Sequence, residues 1–246
     1  MAARKTKKAD ITTLQPQVKM SDIVSLQPRF LRSVNLERDF YTNDAASSYI
    51  VTSGALSAIS LLERGISAPA YRAQCISGPY GSGKSALMLY FTKLLDRTAT
   101  SELREKAKGE LGKLANDLML NTDQGYITVL VTGSRESLST ALMQGVVSSL
   151  KNAGETKLLH KIQKKYANLF ADTQIKTRAL VSFFDDLAKL VVEQSKALGL
   201  VVIVDELGKS LEYAALHPEQ SDIQILQEMA ESAARSQQYP MWFITI

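Results

Sequence analysis

The chain is short of the residues that most often announce chemistry: one cysteine (Cys75), two histidines (His160 and His217) and one tryptophan in 246 residues. A lone cysteine excludes any disulfide within the chain, and its place in a short apolar run predicts a small buried thiol packed as a hydrophobe. Neither histidine has Cys, Asp or His neighbours at ligand spacing, so neither is assigned to a metal. No run of about eighteen apolar residues exists, and the Met-Ala-Ala-Arg start lacks the apolar segment of a secretory signal. The expectation is a cytoplasmic protein with no membrane partner. The formal charge of +4 is mild. Much of it comes from Arg4, Lys5, Lys7 and Lys8, a tail that reads either as a solvated terminus or as a contact with nucleic acid. What the chain does have is 45% hydrophobic content, enough for one large α/β domain with a true core, with or without an appendage.

The most informative stretch is Ser77-Gly78-Pro79-Tyr80-Gly81-Ser82-Gly83-Lys84-Ser85, which satisfies G-x-x-x-x-G-K-[ST]. Ala73–Ile76 before it predicts a short strand, and Ala86, Leu87, Leu89, Tyr90, Leu94 and Leu95 after it recur at helical spacing. Strand, glycine loop and helix together predict a phosphate-binding loop formed by Gly78, Pro79, Tyr80, Gly81, Ser82, Gly83, Lys84, Ser85 and Ala86. The glycines let backbone N–H groups turn toward a phosphate, and the helix adds its positive end. Lys84 is expected to reach the β- and γ-phosphates of ATP, and the Ser85 hydroxyl to ligate Mg²⁺.

Upstream, residues 1–25 show no sustained apolar period and read as a basic tail or strap. A helix is expected over 46–62, ended by Gly65. Asp39, Phe40 and Tyr41 stand where an adenine base could be enclosed, with core packing as the alternative. Downstream of the loop helix, 98–119 reads as a charged surface helix with few apolar anchors. Tyr126–Thr132 is a β-branched run predicting an interior parallel strand whose polar end, Thr132 to Arg135, lies at the ligand-binding edge. Helical patterns follow over 138–150, 157–170 and 175–198, more than a crossover to the next parallel strand requires. Ser221 and Gln224 have the spacing of a capping box for a helix through 236. Met241–Ile246 predicts a last strand.

Between the last two helical regions, Leu200-Val201-Val202-Ile203-Val204 is an apolar strand ending in Asp205-Glu206. Asp205 is placed to face the Mg²⁺ held by Ser85. Glu206 is placed to orient and deprotonate a water attacking the γ-phosphate, which favours hydrolysis over binding alone.

Gly-Pro-Tyr-Gly-Ser-Gly-Lys-Ser, Val-Asp-Glu-Leu-Gly-Lys-Ser-Leu-Glu-Tyr-Ala-Ala and the upstream Val-Asn-Leu-Glu-Arg-Asp-Phe together resemble bacterial AAA-like P-loop ATPases of phage-defence loci, BREX-type or related, over about residues 30–246. The resemblance implies an α/β P-loop NTPase fold: a parallel sheet of the additional-strand catalytic-glutamate type, flanked by helices and truncated after the fourth core strand. In that topology the 241–246 strand lies between those at 73–77 and 200–205, and Thr245 is the candidate γ-phosphate sensor. The division implied is a tail over 1–25 and an ATPase domain over 26–246, incomplete at its C-terminus, with helical insertions near 98–120 and 153–198.

The function implied is Mg-dependent ATP hydrolysis coupled to DNA-related phage-defence machinery, with DNA and other defence-system proteins as partners. Two alternatives stand beside it: a nucleotide-dependent switch or scaffold with slow hydrolysis, and a fragment that binds ATP without turning it over. Because the first strand would be an open edge, the isolated chain is expected to be marginally stable or to form homo-oligomers, with weak turnover.

Overall fold

The computed structural model describes residues 19–24, 33–42, 46–118, 124–172, 175–220 and 222–246. The chain divides into two compact units, Met1–Ser33 and Val34–Ile246. The described part of the first contains one helical turn, α1 (Met20–Ile23). The tail residues 1–18 and Ser221 lie outside the described residues.

The second unit is a four-stranded, all-parallel sheet with helices on both faces. Its strands are β1 (Ala73–Cys75), β2 (Ile127–Thr132), β3 (Leu200–Asp205) and β4 (Met241–Thr245), in spatial order β1-β4-β3-β2. The last strand therefore lies between the first and third, as the sequence led us to expect. Its helices are α2 (Leu36–Asp39), α3 (Ser53–Ser67), α4 (Lys84–Leu95), α5 (Ser101–Leu111), α6 (Lys113–Asp117), α7 (Leu138–Asn152), α8 (Thr156–Lys165), α9 (Ala167–Ala171), α10 (Thr177–Ser195), α11 (Leu207–Leu216) and α12 (Gln224–Arg235).

Alternation along each strand sorts the core into two layers. Ile127, Val129, Val131, Leu200, Val202, Val204, Met241 and Phe243 join the layer built with α7, α10 and α12. Leu130, Val201, Ile203, Trp242 and Ile244 join the layer built with α3, α4 and α5. Both faces being covered explains the near-continuous apolar runs of β2, β3 and β4.

The outer edge of β2 is met at its start by the backbone of residues 95–97, which pairs with Tyr126, and further along by side chains. Leu130 N–H donates to Ser149 Oγ at 3.0 Å, and Thr132 N–H donates to Glu37 Oε1 at 2.6 Å. Both donors are thereby removed from any intermolecular pairing.

Several local expectations are corrected. The helix expected over 46–62 is α3, and Gly65 lies inside it instead of ending it. A Cβ there would sit 2.8 Å from the Trp242 ring, so glycine serves close packing of the helix on the tryptophan. The 98–119 region is not merely a solvated surface helix: Leu103, Ala107, Leu111, Ala115 and Leu118 are buried in the core. The 157–170 pattern divides at Tyr166 into α8 and α9. β1 is only three residues long, and Cys75 is exposed, because an edge strand lacks the second neighbour that would cover it. Asp222, beside the expected capping box, accepts the N–H groups of Leu138 at 3.2 Å and Ser139 at 2.7 Å and so caps α7 instead.

Gly145 makes the α7–β2 contact unusually close: a Cβ would meet Leu130 O at 2.8 Å and Val131 Cγ2 at 2.6 Å. Helix propensity alone favours alanine there by about 1 kcal/mol, whereas overpacking against backbone costs about 1–3 kcal/mol. Gly145→Ala is expected to be net destabilising in a urea titration. A higher midpoint with unchanged slope would show that α7 can move away freely.

Candidate functional site

Residues 77–83 form an exposed loop between β1 and α4. Gly81 and Gly83 have φ of +78° and +84°, and nothing lies within 4 Å of the Cβ either would carry. The sequence thus supplies glycine where the backbone is left-handed. Gly83 is the N-cap of α4 and offers no side-chain cap, so the first N–H groups of a twelve-residue helix remain available to an anion.

Lys84 and Ser85 open α4 and are half-buried. Lys84 Nζ donates to Gly78 O at 3.0 Å and Pro79 O at 2.9 Å. The ammonium thus folds back over the loop and is held by carbonyls rather than by a carboxylate. Tyr80, at the loop tip, is almost fully exposed. Ala86 continues the helix into the core side.

Strand parity brings the second group of residues to the same face. Asp205 ends β3 one step beyond Val204 and so faces the α4 layer. Its Oδ1 accepts from Ser85 Oγ at 3.2 Å and from the Glu206 N–H at 2.9 Å. Thr132, in register with Asp205 on β2, shares that parity. Its Oγ1 is buried with no hydrogen-bond partner. Burial pushes the Asp205 carboxyl above its ordinary range; the hydrogen bonds from Ser85 and the Glu206 backbone oppose this, the Glu206 charge adds to it and Lys84 counteracts it.

Glu206 follows with φ +54° and ψ +40°, a left-handed conformation carried by a non-glycine residue. Its carboxylate is half-exposed and ion-paired with Lys209, one turn on in α11. The Leu207 N–H donates to Ile246 O at 3.0 Å, fastening this turn to the end of β4. From the β2 side, Gly133 N–H donates to Asp205 O at 2.7 Å. A side chain at Gly133 would collide with the Glu206 carbonyl.

Lys84, Ser85, Asp205 and Glu206 therefore converge on the carboxyl edge of the sheet, where open α/β folds place ligands. Thr245 is placed differently. It pairs in register with Val204 and, like Phe243, has the parity of the opposite layer. Phe40 is buried in the core, taking the packing alternative. Arg235 sits at the far end of α12 and pairs with Glu231 at 3.2 Å. Thr132 stands at the carboxyl edge where the polar end of its strand is expected, and two participants escaped sequence reasoning: Lys209 as the partner of Glu206 and Glu37 as the cap on Thr132. Lys209 was legible in principle from its i, i+3 spacing to Glu206, whereas Glu37 is joined to β2 only by the fold.

No family model, curated protein or solved structure matches this chain.

Residues suited to a hard cation are present but few. Among the described residues no cluster of three or more His, Cys, Asp or Glu could hold a metal. A divalent ion beside Ser85 and Asp205 would take most ligands from water and substrate, the usual habit of Mg²⁺. Ser85 and Asp205, hydrogen-bonded at 3.2 Å, are hard oxygen donors side by side and suit such an ion either directly or through its waters.

Asp205→Asn would keep an oxygen acceptor for both hydrogen bonds and remove a buried charge. The expected result is a melting temperature equal to or above wild type in metal-free buffer. Marked loss of stability in metal-free buffer would show that the carboxylate charge itself holds the edge together.

Proposed function

We propose that this chain binds ATP with Mg²⁺ across residues 78–86 and Asp205 and hydrolyses it with Glu206 as general base. The observation supporting this most directly is the 3.2 Å contact between Ser85 and Asp205, 120 residues apart in sequence, beside a glycine loop that opens a helix. The strand order, with β4 between β1 and β3, also agrees with the additional-strand class of P-loop NTPase.

In this reading the N–H groups of residues 81–86 cradle the β-phosphate. Lys84 exchanges the carbonyls of Gly78 and Pro79 for β- and γ-phosphate oxygens. Ser85 and Asp205 would hold the cation, which when bound would neutralise charge on the same phosphates. Glu206 turns from Lys209 toward a water and accepts its proton as the water oxygen bonds to the γ-phosphorus and the bond from that phosphorus to the β–γ bridging oxygen breaks, releasing ADP and inorganic phosphate. Thr245 is left out of the chemistry because its side chain belongs to the other face.

The Glu206–Lys209 ion pair favours a second reading, in which the protein is a nucleotide-dependent switch with slow hydrolysis because the base is engaged elsewhere until a partner or nucleotide releases it. The defence setting, with DNA and other defence proteins as partners, is the context implied by the sequence resemblance.

Two variants test the site. Lys84→Ala deletes the cation that compensates phosphate charge and is expected to abolish or severely weaken ATP binding in calorimetry; wild-type affinity would exclude a phosphate-binding role. Glu206→Gln keeps the shape and removes the base, so ATP should still bind while turnover falls by about 10²–10⁴. Equal turnover in the variant and wild type would reassign Glu206 to structure.

A further inference from the structure

Helix α8 lies away from the nucleotide site, on the lobe between β2 and β3. Its ten residues include Lys157, Lys161, Lys164 and Lys165 and no acidic residue. Leu158 and Ile162 are buried and fix which side faces inward. Lys157, Lys161 and Lys164 recur at helical spacing on the solvent side and are all exposed. Two of the acidic groups near this helix are already engaged: Glu155, preceding it, pairs with Arg97 and accepts Ser195 Oγ at 2.9 Å, and Asp186 of α10 pairs with Lys165. Among the described residues, Lys157, Lys161 and Lys164 have no ion-pair partner. The stripe continues into a cavity of about 520 Å³ between α8, α9 and the start of α10, lined by Lys164, Lys165, Tyr166, Asn168 and Lys176, with Asp172 as its one carboxylate. Arg178, also exposed, is the second residue of α10.

We infer that this face is a docking surface for the phosphate backbone of double-stranded DNA, bound by charge and not by sequence. From Lys157 to Lys164 the stripe rises about 10 Å along the helix, a length over which a duplex presents roughly six phosphates. Other occupants fit less well. None of the exposed large hydrophobic side chains among the described residues belongs to α8 or α9, so a lipid surface would find no apolar anchor. A protein partner would find no apolar hot spot. A single strand needs aromatic faces on which bases can stack. Tyr166 has its ring edge-on to Phe183 at 5.2 Å and its hydroxyl bonded to Asp186, and Phe170 packs on the same phenylalanine at 5.8 Å. Lysines on a convex helix supply point charges to a regular backbone and little else.

This inference stands on surface charge and not on the nucleotide site, so it is tested without nucleotide and its failure leaves the ATP reading untouched. Anisotropy of a fluorescent duplex of about three helical turns would be followed with the full chain across a salt series, against a single strand of the same sequence. The K157E/K161E/K164E triple variant is expected to lose at least tenfold in duplex affinity at low salt. The neutral K157Q/K161Q/K164Q variant should flatten the plot of log affinity against log salt by about one unit per lysine. Melting curves matching wild type would show that these exposed substitutions leave the fold intact. A parallel variant with Arg4, Lys5, Lys7 and Lys8 changed to glutamine isolates the tail and should retain most of the duplex affinity. Loss through the tail variant alone, equal affinity for the single strand, or absence of duplex binding by wild type would each overturn the proposal.

Discussion

The insertion of β4 between β1 and β3 is the constraint on which the candidate site depends. Neighbouring strands lie about 4.8 Å apart, so one intervening strand sets β1 and β3 roughly 10 Å from each other. That interval lets the loop leaving β1 return as α4 with Ser85 over the end of β3, in contact with Asp205. β4 is in register with both neighbours at once: Phe243 with Ala73 and Val202, and Ile244 with Gln74 and Ile203. Slipping it by one residue would exchange Trp242 and Phe243 between layers built for different volumes. The bulk of Trp242, fully buried beneath α3 and beside Phe91 and Tyr126, therefore helps to fix the position of a loop it never touches.

In the conformation described, every charge at the site is engaged within the protein. Lys84 is held by loop carbonyls, Asp205 by Ser85 and the Glu206 N–H, and Glu206 by Lys209. Each of these contacts uses an atom that the proposed reaction needs. Binding would thus be an exchange of hydrogen bonds and ion pairs, with a smaller net gain than the contacts to ligand would suggest. The Glu206–Lys209 pair is solvent-exposed and correspondingly weak, so it can hold a resting geometry without blocking a change.

The strands and the two polar clusters were readable because their signals are local. Four or five consecutive β-branched or aliphatic residues ending in Asp205, and glycines spaced around Lys84, carry their meaning within ten residues. The strand order followed from the resemblance and not from the apolar pattern. What the sequence concealed depends on distant partners. Leu103, Ala107 and Leu111 looked too sparse to anchor a helix, yet they pack because α4 offers a continuous apolar face. Gly65 resembled a helix stop because its close neighbour, the Trp242 ring, lies 177 positions later. Thr245 looked like the polar end of β4 on the ligand side, but alternation sends it to the other layer. A sequence window finds that a strand ends in a polar residue more readily than it finds which face that residue occupies.

The left-handed backbone at Glu206 has a consequence for how the site could change over generations. A non-glycine, non-asparagine residue in that region is strained by about 1 kcal/mol or more, and the turn is held from both sides by Leu207 on Ile246 and Gly133 on Asp205. Replacement by glycine or asparagine would relieve the strain at the very position that carries the carboxylate. If Glu206 serves as the base proposed above, thermal robustness and turnover pull this one codon in opposite directions. On that proposed reading, a descendant that no longer needed hydrolysis would surrender the glutamate early while keeping the loop around Lys84, which would uncouple the proposed nucleotide binding from the proposed chemistry.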